Sequence, residues 1–285
     1  MRKFTLEKPM APLWLMYPSI SPYSIGWRMG YAEEYKNALQ EWIDELKEEE
    51  REQYKIMFPA PKPWKGYWDE DFDVGDDEED DFEKNKFEIL RGLIEYWQPY
   101  GVPFYSFKQL ESKENPSIIE FSGKKTNGYE WLAQNWICEF TVDTDTYCCM
   151  EQYMMAKKAR LFLDGDSEKS IMLSNDPKEI VRLGRNIANF NEDIWNKVKY
   201  SIALNGNYAK FLQNEQLKKR LFETKDSILV QVDENDTIWS VRRENGSYVG
   251  ENYLGFAIME VRDELMKACK MEHLIDFKEL HKIYD

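Results

Sequence analysis

A chain of 285 residues is long enough for one large domain or two small ones, and its 15% aromatic content, with ten Trp, supplies ample material for a core. The formal net charge is −15, but eleven of the fifteen residues from Asp69 to Glu83 are Asp or Glu, so removing those eleven charges leaves −4 for the rest. That balance excludes a broad basic footprint for nucleic acid, while leaving room for a small pocket that takes one nucleotide or one exposed end.

No apolar run is long enough to span a bilayer, and Met1 to Pro9 lacks the apolar core of a signal peptide, so a cytoplasmic protein is expected. The four cysteines do not form a disulfide framework. Cys148 and Cys149 are adjacent in a predicted helix, Cys138 and Cys269 are isolated, and reduced thiols are expected. Zinc-type spacings are absent. The only histidines, His273 and His281, lie near the C-terminus outside any nucleophile motif. Proton transfers in an enzyme of this composition therefore fall to carboxylates.

Residues 1–115 read as an aromatic-rich N-terminal extension. The Pro-punctuated stretches Pro9–Trp14 and Tyr17–Tyr23 predict an extended, ordered segment rather than helix or central strand. Tyr31, Tyr35, Leu39, Trp42 and Leu46 follow a helical stripe, which predicts one amphipathic helix over Ala32–Met57, ended by Pro59, Pro61 and Pro63. The aromatics of this block are expected to pack on a neighbouring domain; a peptide-binding groove is the alternative. The acidic loop at 69–83 cannot bury a face and is expected to be mobile. Asp69, Asp71 and Asp73 open like a calcium loop, but Val74 stands where the loop needs Gly and Asp80 where it needs Glu, so no metal is expected. Phe87, Leu90, Ile94 and Trp97 resume a helical spacing.

Residues 116–285 predict a mostly helical α+β domain with a small sheet. Strands are expected at Ile118–Phe121, Ile137–Val142, Ser227–Val232 and Thr237–Val241. Helices are expected from Tyr147 to Phe162, from Asp176 through Leu183, around Ile194 to Ala203, from Lys210 onward, and over Gly255–Cys269. Glu151 and Lys158 lie seven residues apart on nearly one face of the Tyr147–Phe162 helix. That spacing admits a solvated ion pair or the floor of a site.

The order of short motifs here resembles the NADAR, or YbiA-like, family. It begins with Tyr129-Glu130-Trp131-Leu132-Ala133-Gln134-Asn135-Trp136, followed by Glu151-Gln152-Tyr153 with Lys158. Leu183-Gly184-Arg185, Ile194-Trp195 and Lys210-Phe211 come next. Thr224, Asp236, Ile238-Trp239, Gly250, Asn252 and Leu254-Gly255, with Met259 and Arg262, complete it. The resemblance covers about Pro116 to Leu265. It implies an α+β fold and hydrolysis of N-glycosidic bonds, on phosphorylated ribosylamino-pyrimidines of the riboflavin pathway or on ADP-ribosylated guanine. By motif, the family's functional Glu, Trp and Asp fall on Glu151, Trp195 and Asp236.

The chemistry suits these residue types. Breaking a C1′–N bond passes through an oxocarbenium-like sugar, which two carboxylates can serve without a metal or redox cofactor. Glu151 and Asp236 are the candidate catalytic pair. Trp195 is the candidate stacking surface, with Trp239 beside Asp236. Lys158 and Arg185 are candidates for a phosphate, and Asn135 and Asn252 for sugar or base hydrogen bonds. Each has a plainer reading: core for Trp195 and Trp239, a turn for Asp236, Asn135 and Asn252, and a helix C-terminal charge for Arg185.

The chain departs from the family pattern at two places. Gln231 replaces a Glu, and Ser240 replaces the Gly after the Trp, with Asp233 or Glu234 as possible compensation. These departures keep a second hypothesis open, a nucleotide- or ADP-ribose-sensing module that retains the fold with weak catalysis.

Overall fold

The computed structural model describes residues 4–69, 102–110, 116–123 and 128–282. The acidic loop apart from Asp69, and the helical spacing from Phe87 to Trp97, lie outside the described residues. The chain divides into two compact units. The first comprises residues 1–80, 142–144 and 263–285; the second comprises 81–141 and 145–262.

The first unit holds α1 (Leu13–Met16), α2 (Gly30–Asp44) and α3 (Glu48–Met57). The Pro-rich start is not wholly extended as expected. Pro12 is the N-cap of α1, a position where its fixed φ and missing N–H cost nothing. The single helix expected over 32–57 is two helices. The Arg51 guanidinium takes up the Ile43 and Asp44 carbonyls (3.0 and 2.7 Å) at the end of α2, and the Glu50 carboxylate accepts from Lys47 N (2.9 Å) at the start of α3. Charged side chains thus satisfy the backbone groups that a continuous helix would have paired. Trp14, Trp27, Tyr54 and Trp64 are buried, and the rings pack on one another rather than in a groove. Trp14 lies 5.8 Å from Trp64, and Trp42 lies 5.0 Å from Tyr54, edge to face. Tyr35 and Tyr54 donate to the Ala11 and Met10 carbonyls at 2.7 and 2.9 Å.

The second unit begins, among described residues, with the short helix α4 (Phe107–Leu110) and β1 (Ile118–Phe121). Two further short strands follow, β2 (Phe140–Val142) and β3 (Asp145–Tyr147), and pair with each other. A helical core then forms: α5 (Met150–Leu161), α6 (Gly165–Leu173), α7 (Pro177–Arg185), α8 (Glu192–Gln213) and α9 (Glu215–Glu223). Next come β4 (Ile228–Gln231), the hairpin β5 (Arg242–Glu244) with β6 (Ser247–Val249), and α10 (Tyr253–Ala268), whose residues from 263 on count with the first unit. β4 pairs parallel with β1, Ile118 opposite Ile228.

The α+β, mostly helical class holds, but among the described residues as three two-stranded sheets rather than one. The Tyr147–Phe162 helix starts later than expected: Tyr147 closes β3, and Cys149, extended, is the N-cap of α5. Residues 194–203 and 210 onward belong to one 22-residue helix, α8. α5 packs against α6, α7 and α8. Gly184 and Gly206 make two of those approaches possible, since a Cβ would lie 2.1 Å from Met155 Sδ at Gly184 and 2.5 Å from the Tyr153 ring at Gly206. Residues 237–240 are not a strand; the backbone bends there, with one bridge between Val232 and Val241.

Candidate active site

Glu151 sits in the first turn of α5, and its surroundings fix that turn from two sides. Glu151 N donates to Gln134 O (2.9 Å), which ties the helix start to the 130–136 loop. The buried Gln152 amide accepts from Cys148 N at 2.6 Å and donates to the Ile171 and Ser174 carbonyls at 3.1 and 2.9 Å, so α5 is also clamped to the end of α6.

The Glu151 residue is half-buried, while its carboxyl group is desolvated and titrates at about 7. Burial is the main cause. The Asp236 carboxylate pushes in the same direction and the Arg185 guanidinium opposes both. Glu151, Asp236 and Arg185 therefore converge within electrostatic reach, from α5, the β4–β5 connection and the last turn of α7.

Asp236 Oδ1 accepts from Ile238 N (2.9 Å) and Trp239 N (3.0 Å), which holds its carboxylate still at the mouth of the bend. The expected turn is thus present, and it fixes the carboxylate of a candidate catalytic residue. Asp233 is used locally in the same way, accepting from Asn235 N at 2.9 Å.

No ion pair joins Glu151 to Lys158 among the described residues. Lys158 Nζ instead donates to Gly184 O at 2.8 Å, near the carbonyl-rich end of α7, and lies 4.2 Å from the Phe190 ring centre and 5.7 Å from that of Trp195. Burial lowers its pKa. Trp195 is only 9% exposed, so little of its surface is open to a stacking partner. Trp239 is half-buried, edge-on to Tyr253 at 6.0 Å.

Asn135 is exposed, its amide packed over Gly123. Asn252 is fully buried and occupied: Oδ1 accepts from Gln231 N (3.0 Å) and Nδ2 donates to Leu229 O (2.9 Å), stitching β4 to the start of α10. Gln231 ends β4, and its buried Oε1 has no partner among the described residues; Ser240 is buried.

Sequence reasoning missed Lys199. It is buried on α8, donates to Asn196 Oδ1 at 2.7 Å, and stands 5.6 Å from the Tyr253 ring centre. Burial lowers its pKa, against pulls from Asp236 and Glu192. The available signal was its place four residues after Trp195, on the same helical face.

A desolvated carboxyl that titrates near neutrality, a fixed second carboxylate and flanking cations form a site for proton transfer beside a developing positive charge. Comparison with known proteins gives the class. A 40% identical relative is N-glycosidase R617 of Acanthamoeba polyphaga mimivirus, aligned over 41% of this chain and 74% of the relative. N-glycosidase YbiA of Escherichia coli is 32% identical, over 44% of this chain and 74% of the relative. Riboflavin biosynthesis protein VVA0006 of Vibrio vulnificus is 28% identical, over 48% of this chain and 36% of that longer protein. The class is a hydrolase acting on N-glycosyl bonds. Residues 120–266 match the NADAR domain, and the chain belongs to that family. No helix among the described residues is long and apolar enough to cross a membrane.

Proposed function

We propose that this N-glycosidase hydrolyses the base–ribose C–N bond of phosphorylated ribosylamino-pyrimidines, intermediates of riboflavin synthesis. The observation that carries the chemistry is the Glu151 carboxyl, held at about 7 beside Asp236. The name of the Vibrio relative supports the choice of substrate.

Near neutral pH a carboxyl of this kind is present in both protonation states. Protonated Glu151 gives its proton to the leaving nitrogen as the C1′–N bond breaks and its electron pair departs with the base. Asp236 takes the proton of the water whose oxygen adds to C1′, and both carboxylates offset the charge on the sugar in between. Arg185, which is exposed, and Lys158 are assigned to phosphate, while Lys199 acts on Asp236. Trp239 and the edge of Trp195 bound the space for the base. Asn135 contributes a hydrogen bond from the loop that also anchors Glu151.

The test is release of free base and ribose phosphate by wild type and by Glu151→Gln, which preserves size and removes the titrating group. The expected outcome is turnover in wild type with a loss of roughly 10²–10⁴-fold in the variant, the usual range for a general acid–base group. ADP-ribosylated guanine is assayed beside it; turnover of that substrate alone reassigns the substrate and keeps the chemistry. Nucleotide binding without turnover in either protein supports the sensing module instead, which the departure at Gln231 favours.

A further inference from the structure

The stretch from Val102 to Leu110 lies before the matched family region, yet it docks on the catalytic unit. Phe104 N donates to Glu260 Oε1 at 2.7 Å, and the Tyr200 hydroxyl donates to the same oxygen at 2.6 Å. Glu260 is on α10 and only 4% exposed, so one buried carboxylate oxygen joins a backbone donor outside the family region to a side chain within it. Phe107 stacks on Tyr248 at 5.7 Å and meets Phe256 edge-on at 5.2 Å, a second attachment of the same stretch.

The Tyr200 ring in turn packs edge-on against Tyr253 at 5.3 Å. Tyr253 meets Trp239, whose N–H holds Asp236, and lies under Lys199. The path from Phe104 to Asp236 thus runs through contacts at every step. Burial and the Glu260 carboxylate push the Tyr200 phenol well above its ordinary range, so it remains a donor throughout the working pH range.

We propose that residues 102–107 are a working part of the catalytic unit. Through Glu260 they position the aromatic wall Tyr200–Tyr253–Trp239 and so set how tightly substrate is held. Glu260 and Tyr200 are positioning residues in this scheme. The proposal rests on the assignment of Asp236 and Trp239 to the substrate site.

Phe104 has an exposed side chain, 61% accessible, so the backbone donor can be removed almost alone. Phe104→Pro deletes the N–H, Phe104→Ala retains it, and Tyr200→Phe cuts the other arm while leaving the ring on Tyr253. Two readouts are taken on the full chain: hydrogen exchange of residues 236–255, which needs no substrate, and KM and kcat for the ribosylamino-pyrimidine phosphate. The expected result for Phe104→Pro and Tyr200→Phe is faster exchange and a KM raised about fivefold with kcat within about twofold, the size of one ordinary net hydrogen bond. Phe104→Ala should match wild type. Exchange and KM in Phe104→Pro equal to those of Phe104→Ala overturn the proposal, as does faster exchange with KM unmoved. A wild type that turns over no substrate removes the proposed reaction, while the exchange readout still decides whether the stretch holds the wall.

Discussion

Burial holds the Glu151 carboxyl at about 7, well above the value it has in an unfolded chain. The folded protein therefore keeps this proton more tightly than the unfolded one. Between about pH 4.5 and 7 the unfolded chain has released it and the folded chain has not, so stability falls as pH rises through that window and levels off above it. Linkage puts the loss at about 3 kcal/mol. Glu151→Gln removes the titration. It should melt several degrees higher than wild type at pH 8 and within a degree or so of it at pH 4, with thermal unfolding by circular dichroism as the measurement. An equal offset at both pH values would mean the carboxyl is not desolvated. The same residue gives the activity its alkaline limb: if Glu151 donates a proton to the leaving nitrogen, kcat/KM declines about tenfold per pH unit above roughly 7. A rate constant flat from pH 6 to 9 would remove that role. Glu151 and Asp236 came forward as candidates because their motifs stand in family order, and the structure brings the two carboxylates within electrostatic reach. Lys199 was not, because a lysine four residues from a Trp on a helix is ordinarily solvated. The Glu151–Lys158 pair failed for a nearby reason: seven-residue spacing puts two side chains on one face, but the Gly184 carbonyl offers the ammonium a partner that spacing cannot show.

At the scale of elements, the start of α5 depends on Gln152. Its amide bridges Cys148 N and the carbonyls that close α6, so Gln152→Leu takes the side-chain partner from a half-buried N–H and from the Ile171, Met172 and Ser174 carbonyls. A loss of about 2–4 kcal/mol is expected, read as a lower urea midpoint, together with reduced turnover because Glu151 is the adjacent residue. A midpoint unchanged from wild type would show that water replaces the amide there. The periodicity that located α5 runs through Met150, Tyr153, Met154 and Leu161, of which the first three are buried and Leu161 is half-buried. Its start was misplaced because β-propensity and pairing claimed Tyr147 first. The gap expected between Ala203 and Lys210 is not there, since both belong to α8. Gly206 is where Tyr153 packs, and Asn207 Nδ2 returns to the Ala203 carbonyl at 2.9 Å, so packing outweighed the propensity of both residue types. The apolar residues between Thr237 and Val241 suggested a strand, but Asp236 captures the first two backbone N–H groups beyond Thr237 and bends the chain. Local side-chain capture of this kind has no periodicity to reveal it.

For the whole chain, composition constrained partners better than it constrained shape. The charge of −15 and the absence of a basic stripe leave little counterion release to drive binding of a nucleic-acid backbone. Arg185 is the cation that acts on the Glu151 carboxyl, while Lys158 and Lys199 are lodged over aromatic rings. Recognition of any nucleic-acid substrate would have to run through the modified base and its sugar. An unmodified single-stranded oligonucleotide should therefore bind more weakly than about 10⁻⁴ M at physiological salt, the weak edge of ordinary non-specific binding, with fluorescence anisotropy as the measurement. An oligonucleotide carrying one ADP-ribosylated guanine separates the two substrate readings. If it binds much more tightly, with an affinity that changes little with salt, contacts to the modification supply the affinity and the guanine-directed activity gains ground. If it binds no better than the plain strand, the small phosphorylated pyrimidine remains the proposed substrate, with the exposed Arg185 for its phosphate. Steep salt dependence for either strand would instead expose a basic surface that the sequence gives no reason to expect.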